Sequence, residues 1–416
     1  MRAMDRRVVV TGMGVVSPIG IGKETFWESL IEGRSGIRHI TRFDASTYPC
    51  QIAGEVDDAA IGEFLTPQDV RRTSRFVQLA LAASYIAIQD ARLSPEQIAQ
   101  PTTGVIMGTA VGPLAMLEKQ ILIAHERGIR RIHPFLGFIG VTHSAASYIS
   151  IKLSIPGPAL TISTSCVGGI DAIGYALNEL RRNAIDMAVV GAAEAPICPI
   201  VLSSMCIAQI LSVQNGDPAK ACRPFDRRHN GFVLSEGAAV VILEPLDKAM
   251  ARGADIYGEI CGYGSSSDAY HPFDMDPEGT GLIRAMQGAL EDARVRTEEI
   301  DYINAHAPAI ASTDIAETKA IKQLFGERAY RIPVSSIKGS VGQAFAAAGI
   351  QQLTASLLAL KTHTIPPTAN YEEPDPECDL DCVSLTRQQS IHIVLINAHT
   401  IGGSNSSLVI KDSILP

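Results

Sequence analysis

Short β-branched and aliphatic runs alternate along this chain with stretches whose apolar residues recur at helical spacing. In the first half, residues 8–11 read as a buried strand, 23–32 as a helix carrying Trp27, and 74–90 as a long alanine-rich amphipathic helix. A strand over 104–107 and a helix over 144–153 follow. The run 159–164 then ends at Cys166, after which Ile170, Ile173, Ala176, Leu177 and Leu180 mark one face of a helix. Residues 186–194 read as a strand running into a loop. The second half repeats the theme, with strands over 255–262, 300–305, 391–397 and 406–411 and helices over 282–293, 313–324 and 349–362. Such alternation predicts an α/β protein with a mostly parallel sheet and helices on its faces.

Length supports two units, because 416 residues exceed what one core usually serves. We place the boundary between 1–253 and 254–416. Apolar residues make up 46% of the chain, and 35 glycines are spread along it, which favours many close-packed turns over disorder. No apolar run approaches the roughly 18 residues that span a bilayer. The basic start followed by a short, glycine-broken apolar run resembles a signal peptide only superficially. A cytoplasmic enzyme without membrane contact is therefore expected. A formal charge of −9 argues against nucleic acid as a partner. The eight cysteines form no CxxC pair and no metal-type spacing with histidine, Cys378 and Cys382 included, so no metal site is expected.

Cys166 is the chain's outstanding candidate for chemistry. It follows a β-branched run and precedes Gly168 and Gly169, the sequence form of a nucleophile on a strand-to-helix turn. Helix N-terminal N–H groups favour a thiolate there. The glycines would let a substrate approach the backbone closely.

Several further stretches give that cysteine a context. They are 8–20, Ser163-Thr164-Ser165-Cys166, 223–238, Asn304-Ala305-His306, Ser336-Ile337-Lys338-Gly339 and Gly402-Gly403-Ser404-Asn405. In order and spacing, over essentially its full length, the chain resembles the β-ketoacyl synthases, in particular the elongating type of the thiolase-fold superfamily. The resemblance implies a five-layered αβαβα fold of two similar halves, normally dimeric. It also implies acyl transfer from a carrier-bound thioester to the cysteine, then Claisen condensation with a malonyl thioester. No cofactor is implied beyond the phosphopantetheine of an acyl carrier protein. By position, Cys166 matches the nucleophile, His306 the first catalytic histidine, and Lys338 the lysine upstream of the second. Glu317 and Asp314 match supporting acids. The backbone N–H of Cys166 and of Ile401 match the oxyanion hole, and Val111 matches a position lining the acyl pocket. Covalent thioester formation divides a hard acyl transfer into easier steps, and the later enolate needs hydrogen-bond donors.

The departures from the family pattern gather around the same site. Where the family reads Gly-His-x-x-Gly-Ala-Ala-Gly, this chain has Gln343 for the histidine. An amide donates a hydrogen bond but exchanges no proton near neutrality. If the missing imidazole acts by proton transfer, the loss is roughly 10²–10⁴-fold; if it acts only as a donor, Gln343 substitutes at modest loss. The pattern His-Gly-Thr-x-Thr reads His306-Ala307-Pro308-Ala309-Ile310, so both hydroxyls for the pantetheine arm are gone. The gating pattern Phe-Gly-Phe-Gly-Gly reads His399-Thr400-Ile401-Gly402-Gly403, which predicts a stiffer loop and a differently shaped pocket. These changes argue against a housekeeping elongation enzyme, and retained Cys166 argues against a dead subunit. Three readings stand: a condensing enzyme of a specialised polyketide or fatty-acyl pathway, a non-decarboxylating acyltransferase using the same cysteine, or a partner subunit of the chain-length-factor kind. The partner chain is either an identical copy or another ketosynthase-like chain. Acyl carrier proteins are acidic, and Arg127, Arg130 and Arg131 form the densest basic cluster near where the resemblance places the carrier.

Overall fold

A computed structural model describes residues 6–412; the leader-like opening stretch falls partly outside the described residues, at 1–5. The first half contributes β1 (Val8–Ser17), β2 (Thr103–Gly108), β3 (Ala159–Ile162), β4 (Met187–Glu194) and β5 (Gly237–Pro245), side by side as β3-β2-β4-β5-β1. The second contributes β6 (Gly258–Ser267), β7 (Tyr302–Asn304), β8 (Pro333–Ser335), β9 (Ile393–His399) and β10 (Ser404–Lys411), ordered β8-β7-β9-β10-β6. The two orders are the same permutation of the two chain orders. Pairing senses match as well: the first strand is antiparallel to the fifth and the fifth to the fourth, while the other neighbours are parallel. The halves are thus structural duplicates, joined where Val8, Val9 and Val10 pair antiparallel with Ile260, Glu259 and Gly258.

The sheet is therefore mixed, and the expectation of a mostly parallel one is corrected. Parallel neighbours need a crossover, usually helical. Such crossovers link β2, β3 and β4, and again β7, β8 and β9. By contrast β9 and β10 are joined by the tight turn 400–403, which forces an antiparallel hairpin.

The principal helices are α1 (Arg75–Asp90), α2 (Leu114–Arg127), α3 (Ser144–Lys152), α4 (Gly168–Arg181), α5 (Thr280–Ala293), α6 (Ala311–Phe325) and α7 (Ala346–Thr362). Strand side chains alternate between faces, and the alternation assigns the layers. Val241 and Leu243 of β5 join a central core with Ile170, Ile173 and Leu177 of α4 and Leu353 and Leu357 of α7. Val240 and Ile242 face outward to Phe76 and Leu79 of α1 and Ile149 of α3. In the second half Val394, Ile396 and Leu408 face the central core, while Leu395 and Val409 meet Leu282 and Met286 of α5 and Ile321 of α6. Helix layers thus alternate with the two strand layers in the thiolase-like αβαβα arrangement. Burial from Ala346 through Leu360 shows that α7 lies enclosed between both sets of strands.

Several elements escaped the sequence pattern. Strand β5, helix α2 and a helix at Pro199–Ile207 were not expected. The expected strand over 255–262 starts later and runs further, and α7 begins at Ala346 because its triple alanine already favours helix.

Candidate active site

Cys166 occupies a single 3₁₀ turn, Ser165–Val167, between β3 and α4. Ser165 holds φ at +58°, a left-handed conformation that a non-glycine residue adopts at a cost. The same strain recurs at Ala309 (φ +76°) after His306 and at Phe345 (φ +43°) after Gln343. Three of the twelve described non-glycine residues with positive φ thus lie on the segments that form the cavity wall. Burial pushes the Cys166 thiol up, while hydrogen bonds to Thr400 and Ser165 and the Lys338 charge act the other way without cancelling it. Desolvation thus opposes the thiolate that the helix N-terminal N–H groups favour. One correction concerns the glycines. A Cβ on Gly169 would lie 2.3 Å from the Ala346 carbonyl oxygen, and one on Gly168 3.3 Å from the Ala346 side chain. These glycines admit α7 against α4 rather than a substrate.

One cavity of about 150 Å³ is lined by Ser165, Cys166, His306, Gln343, Phe345, His399, Thr400 and Ile401, among others. The fold thus gathers the turn after β3, the loop after β7, the segment before α7 and the β9–β10 turn at one point. The His306 backbone N–H donates to Glu317 Oε1 at 3.0 Å, and Ala307 N–H donates to Oε2 at 2.8 Å. Asn397 Nδ2 donates to Oε1 at 3.2 Å, and His399 Nε2 lies 3.5 Å from Oε2. Burial opposes ionisation of Glu317, but these partners outweigh it and hold the carboxyl below its usual range.

Lys338 is completely buried and donates from Nζ to the His306 carbonyl oxygen and, at 3.3 Å, to Gln352 Oε1. Burial lowers it to about 8. Burial, followed by the Lys338 and His399 charges, holds His306 well below its ordinary value, so its imidazole is neutral at pH 7. Gln343 Nε2 stands 3.4 Å from His306 Nε2. Both Gln343 Oε1 and His306 Nδ1 are buried without a partner among the described residues. Unpartnered buried polar atoms are costly, and they recur where a substrate completes the network. The arrangement offers a thiol, a neutral imidazole, an amide donor and a buried cation around one reaction volume.

The remaining expected residues divide. Asp314 is buried, but its carboxylate takes Phe225 N–H (3.0 Å), Ala309 N–H (3.2 Å) and His229 Nδ1 (3.2 Å). It therefore ties the 223–238 motif to the loop after His306 and makes no hydrogen bond to the His306 imidazole. Ile401 and Gly402 lie on the exposed side of the gate turn, with Thr400 Oγ1 3.0 Å from Ser165 Oγ. Val111 packs beside the apolar cluster of Cys166, Cys198, Val201 and Phe232, behind the cavity wall. Arg127 closes α2, Arg130 and Arg131 form the next turn, and all three are exposed. Sequence reasoning missed Glu194. It is buried, pushed up to about 7 by that burial, and accepts from Val111 N–H at 3.3 Å and Thr109 Oγ1 at 3.2 Å. Its only sequence signal was an acid ending an otherwise apolar strand.

Among known proteins, the β-ketoacyl synthase N-terminal domain model matches residues 5–249 and the C-terminal domain model matches 257–372. The 3-oxoacyl-[acyl-carrier-protein] synthase 2 of Coxiella burnetii is 40% identical over 407 residues, covering 98% of each chain. The tetracenomycin polyketide synthase ketoacyl synthase alpha subunit of Streptomyces glaucescens is 39% identical over 420 residues, again covering 98% of each. Among solved structures, a type II polyketide synthase acyl-carrier protein in complex with its ketosynthase matches with a TM-score of 0.90 at 33% identity, covering 98% of this chain and 99% of that one. The ishigamide ketosynthase/chain length factor matches with a TM-score of 0.91 at 32% identity and the same coverage.

Proposed function

The chain belongs to the β-ketoacyl synthase family, and from that premise we propose that it condenses a Cys166-bound acyl chain with a malonyl thioester in specialised polyketide or fatty-acyl synthesis. The observation that supports this most directly is the convergence of Cys166, His306 and Gln343 on one cavity, with Lys338 and Glu317 buried beneath it. In this reading the substrate thioester carbonyl is attacked by the Cys166 sulfur, and the carrier thiol leaves. The N–H groups of Cys166 and Ile401 face the developing oxyanion. The neutral His306 then donates to the malonyl thioester oxygen as carbon dioxide departs, with Gln343 as a second donor. Lys338 fixes the His306 backbone through its carbonyl, and Glu317 fixes it through its N–H. The phosphopantetheine of the carrier is the only prosthetic group the chemistry calls for.

Partners follow from the same footing. An acyl carrier protein delivers both substrates, and Arg127, Arg130 and Arg131 offer it exposed positive charge. A second ketosynthase-like chain, identical or not, completes a dimer. No described helix is long and apolar enough to cross a membrane, and we place the enzyme in the cytoplasm.

Replacement of the second histidine by Gln343 favours one competing reading, a transferase that loads Cys166 and passes the chain on without decarboxylation. Product analysis separates the two. Wild-type protein with acyl- and malonyl-carrier thioesters should yield a β-ketoacyl carrier lengthened by two carbons, and Cys166→Ala should yield none. Transfer of the unextended acyl group to another nucleophile would overturn the condensation reading.

A further inference from the structure

His399 brings an imidazole to the face of His306, at a position where the family pattern has phenylalanine. The two ring centroids lie 4.2 Å apart at 55°, and both rings line the cavity with Cys166. Glu317, buried and held by the His306 and Ala307 amides, stands 3.5 Å from His399 Nε2. One carboxylate therefore fixes the backbone of the first imidazole and lies beside the edge of the second, whose Nε2 makes no hydrogen bond among the described residues. Pairing of His399 with Asn405 at the end of β9 fixes its main chain as well. Gln343, by contrast, reaches His306 only at 3.4 Å and leaves its oxygen unpartnered. An amide cannot relay a proton near neutrality, whereas an imidazole can.

We propose that His399 is a catalytic residue that supplies the second imidazole of the condensation step, the one Gln343 no longer provides. The proposal rests on the decarboxylative reading above. In the step, the bond between the malonyl Cα and its carboxylate breaks, its electron pair enters the enolate, and carbon dioxide leaves. His306 and His399 donate hydrogen bonds to the enolate oxygen. The enolate Cα attacks the acyl carbonyl on Cys166, the new carbon–carbon bond forms, and the carbon–sulfur bond breaks. The sulfur leaves with the electron pair and regains its proton from solvent through the His399 ring. With Nε2 turned to Glu317, Nδ1 takes up a solvent proton before the step, carries the hydrogen bond to the enolate oxygen and then passes that same proton to the sulfur. The groups beside the ring are the Glu317 carboxylate and the His306 imidazole, and the Cys166 thiol lines the same cavity.

The test uses H399F, which restores the residue type of the family pattern, H399Q, and the double variant H399F/Q343H. Acylation of Cys166 is followed by intact mass, and condensation by carbon dioxide release and product from malonyl-carrier thioester, across pH 6–9. H399F and H399Q should lose condensation by roughly 10²-fold or more, at least about tenfold beyond any loss in acylation. Adding Q343H to H399F should recover at least about tenfold of the loss. Condensation by H399F within about threefold of wild type, equal losses in both half-reactions, or no rescue by Q343H would each overturn the proposal. A wild-type protein that loads Cys166 yet releases no carbon dioxide would instead bring down the decarboxylative reading beneath it, a result visible before any variant is made.

Discussion

The gate turn carries a hydroxyl where the family pattern has glycine, and its removal should loosen the entrance to Cys166. Thr400 Oγ1 is 3.0 Å from Ser165 Oγ and 3.3 Å from the Ile401 carbonyl, while its own N–H donates to Ser404 at 3.0 Å. Thr400→Val keeps the branched shape and deletes the hydroxyl contact, worth about 0.5–1.5 kcal/mol. That is roughly a 2- to 12-fold rise in the open population, at about 1.4 kcal/mol per factor of ten. Thr400→Gly adds backbone freedom worth roughly 0.5–1 kcal/mol, so the combined shift is about 1–2.5 kcal/mol, or roughly 5- to 70-fold. The same hydroxyl helps the Cys166 thiolate, and its loss raises the thiol further. The two effects separate by chain length: the thiolate effect is equal for every acyl donor, whereas an opening effect grows with the length of the chain that must pass. Single-turnover acylation with short- and long-chain carrier thioesters should therefore show the long-to-short rate ratio rising from wild type to T400V to T400G. An unchanged ratio across the series would refute the idea that this hydroxyl pair latches the gate.

Other expectations follow from packing and charge. Gly169→Ala places a methyl 2.3 Å from the Ala346 carbonyl oxygen and 3.0 Å from Ile350 Cγ1, so α4 and α7 must separate. Overpacking at about 1–3 kcal/mol outweighs the helix-propensity gain of about 1 kcal/mol; a lower urea midpoint and weaker Cys166 acylation should appear together. Lys338, lowered by burial to about 8 in the fold, is near 10.4 when unfolded, so the unfolded chain binds the extra proton between those values. The fold is then penalised below pH 8 and relieved as pH rises. Wild type should gain about 2 kcal/mol relative to Lys338→Met between pH 7 and 9.5 in paired denaturation curves, and parallel curves would contradict the burial of that ammonium. Glu317→Gln leaves either the His306 or the Ala307 N–H facing an amide NH₂, since the two donate to different carboxylate oxygens. A loss of about 1–3 kcal/mol is expected for the orphaned donor, read in the same denaturation assay.

Most strands buried on both faces and the helices of strong period were legible in the chain, β5 being an exception, because hydrophobic runs and helical spacing are local signals. Pairing sense was not. Nothing local distinguishes β4, parallel to β2, from β5, antiparallel to β4, since both are apolar runs with a glutamate at or near the end. The turn at Cys166 was visible as a β-branched run meeting two glycines, yet what those glycines admit, the start of α7, depends on a helix far along the chain. Cys166 came from its own turn, and His306, Gln343 and Lys338 from motif resemblance; the fold sets them around one cavity and its floor. The contact between His399 and His306 was invisible, because the gate pattern gives a residue at each position but no partner for it. Likewise the net rise of the Cys166 thiol follows from desolvation, a quantity that no spacing of residues reports.

The most direct measurement follows the mass of the acylated protein after malonyl-carrier thioester is added, with carbon dioxide counted in the same vessel. If Cys166 hands its acyl chain to a decarboxylating nucleophile, the thioester mass disappears at the rate at which carbon dioxide is released, one for one. An acyl group that stays on the sulfur, or leaves it while no gas is evolved, contradicts the account.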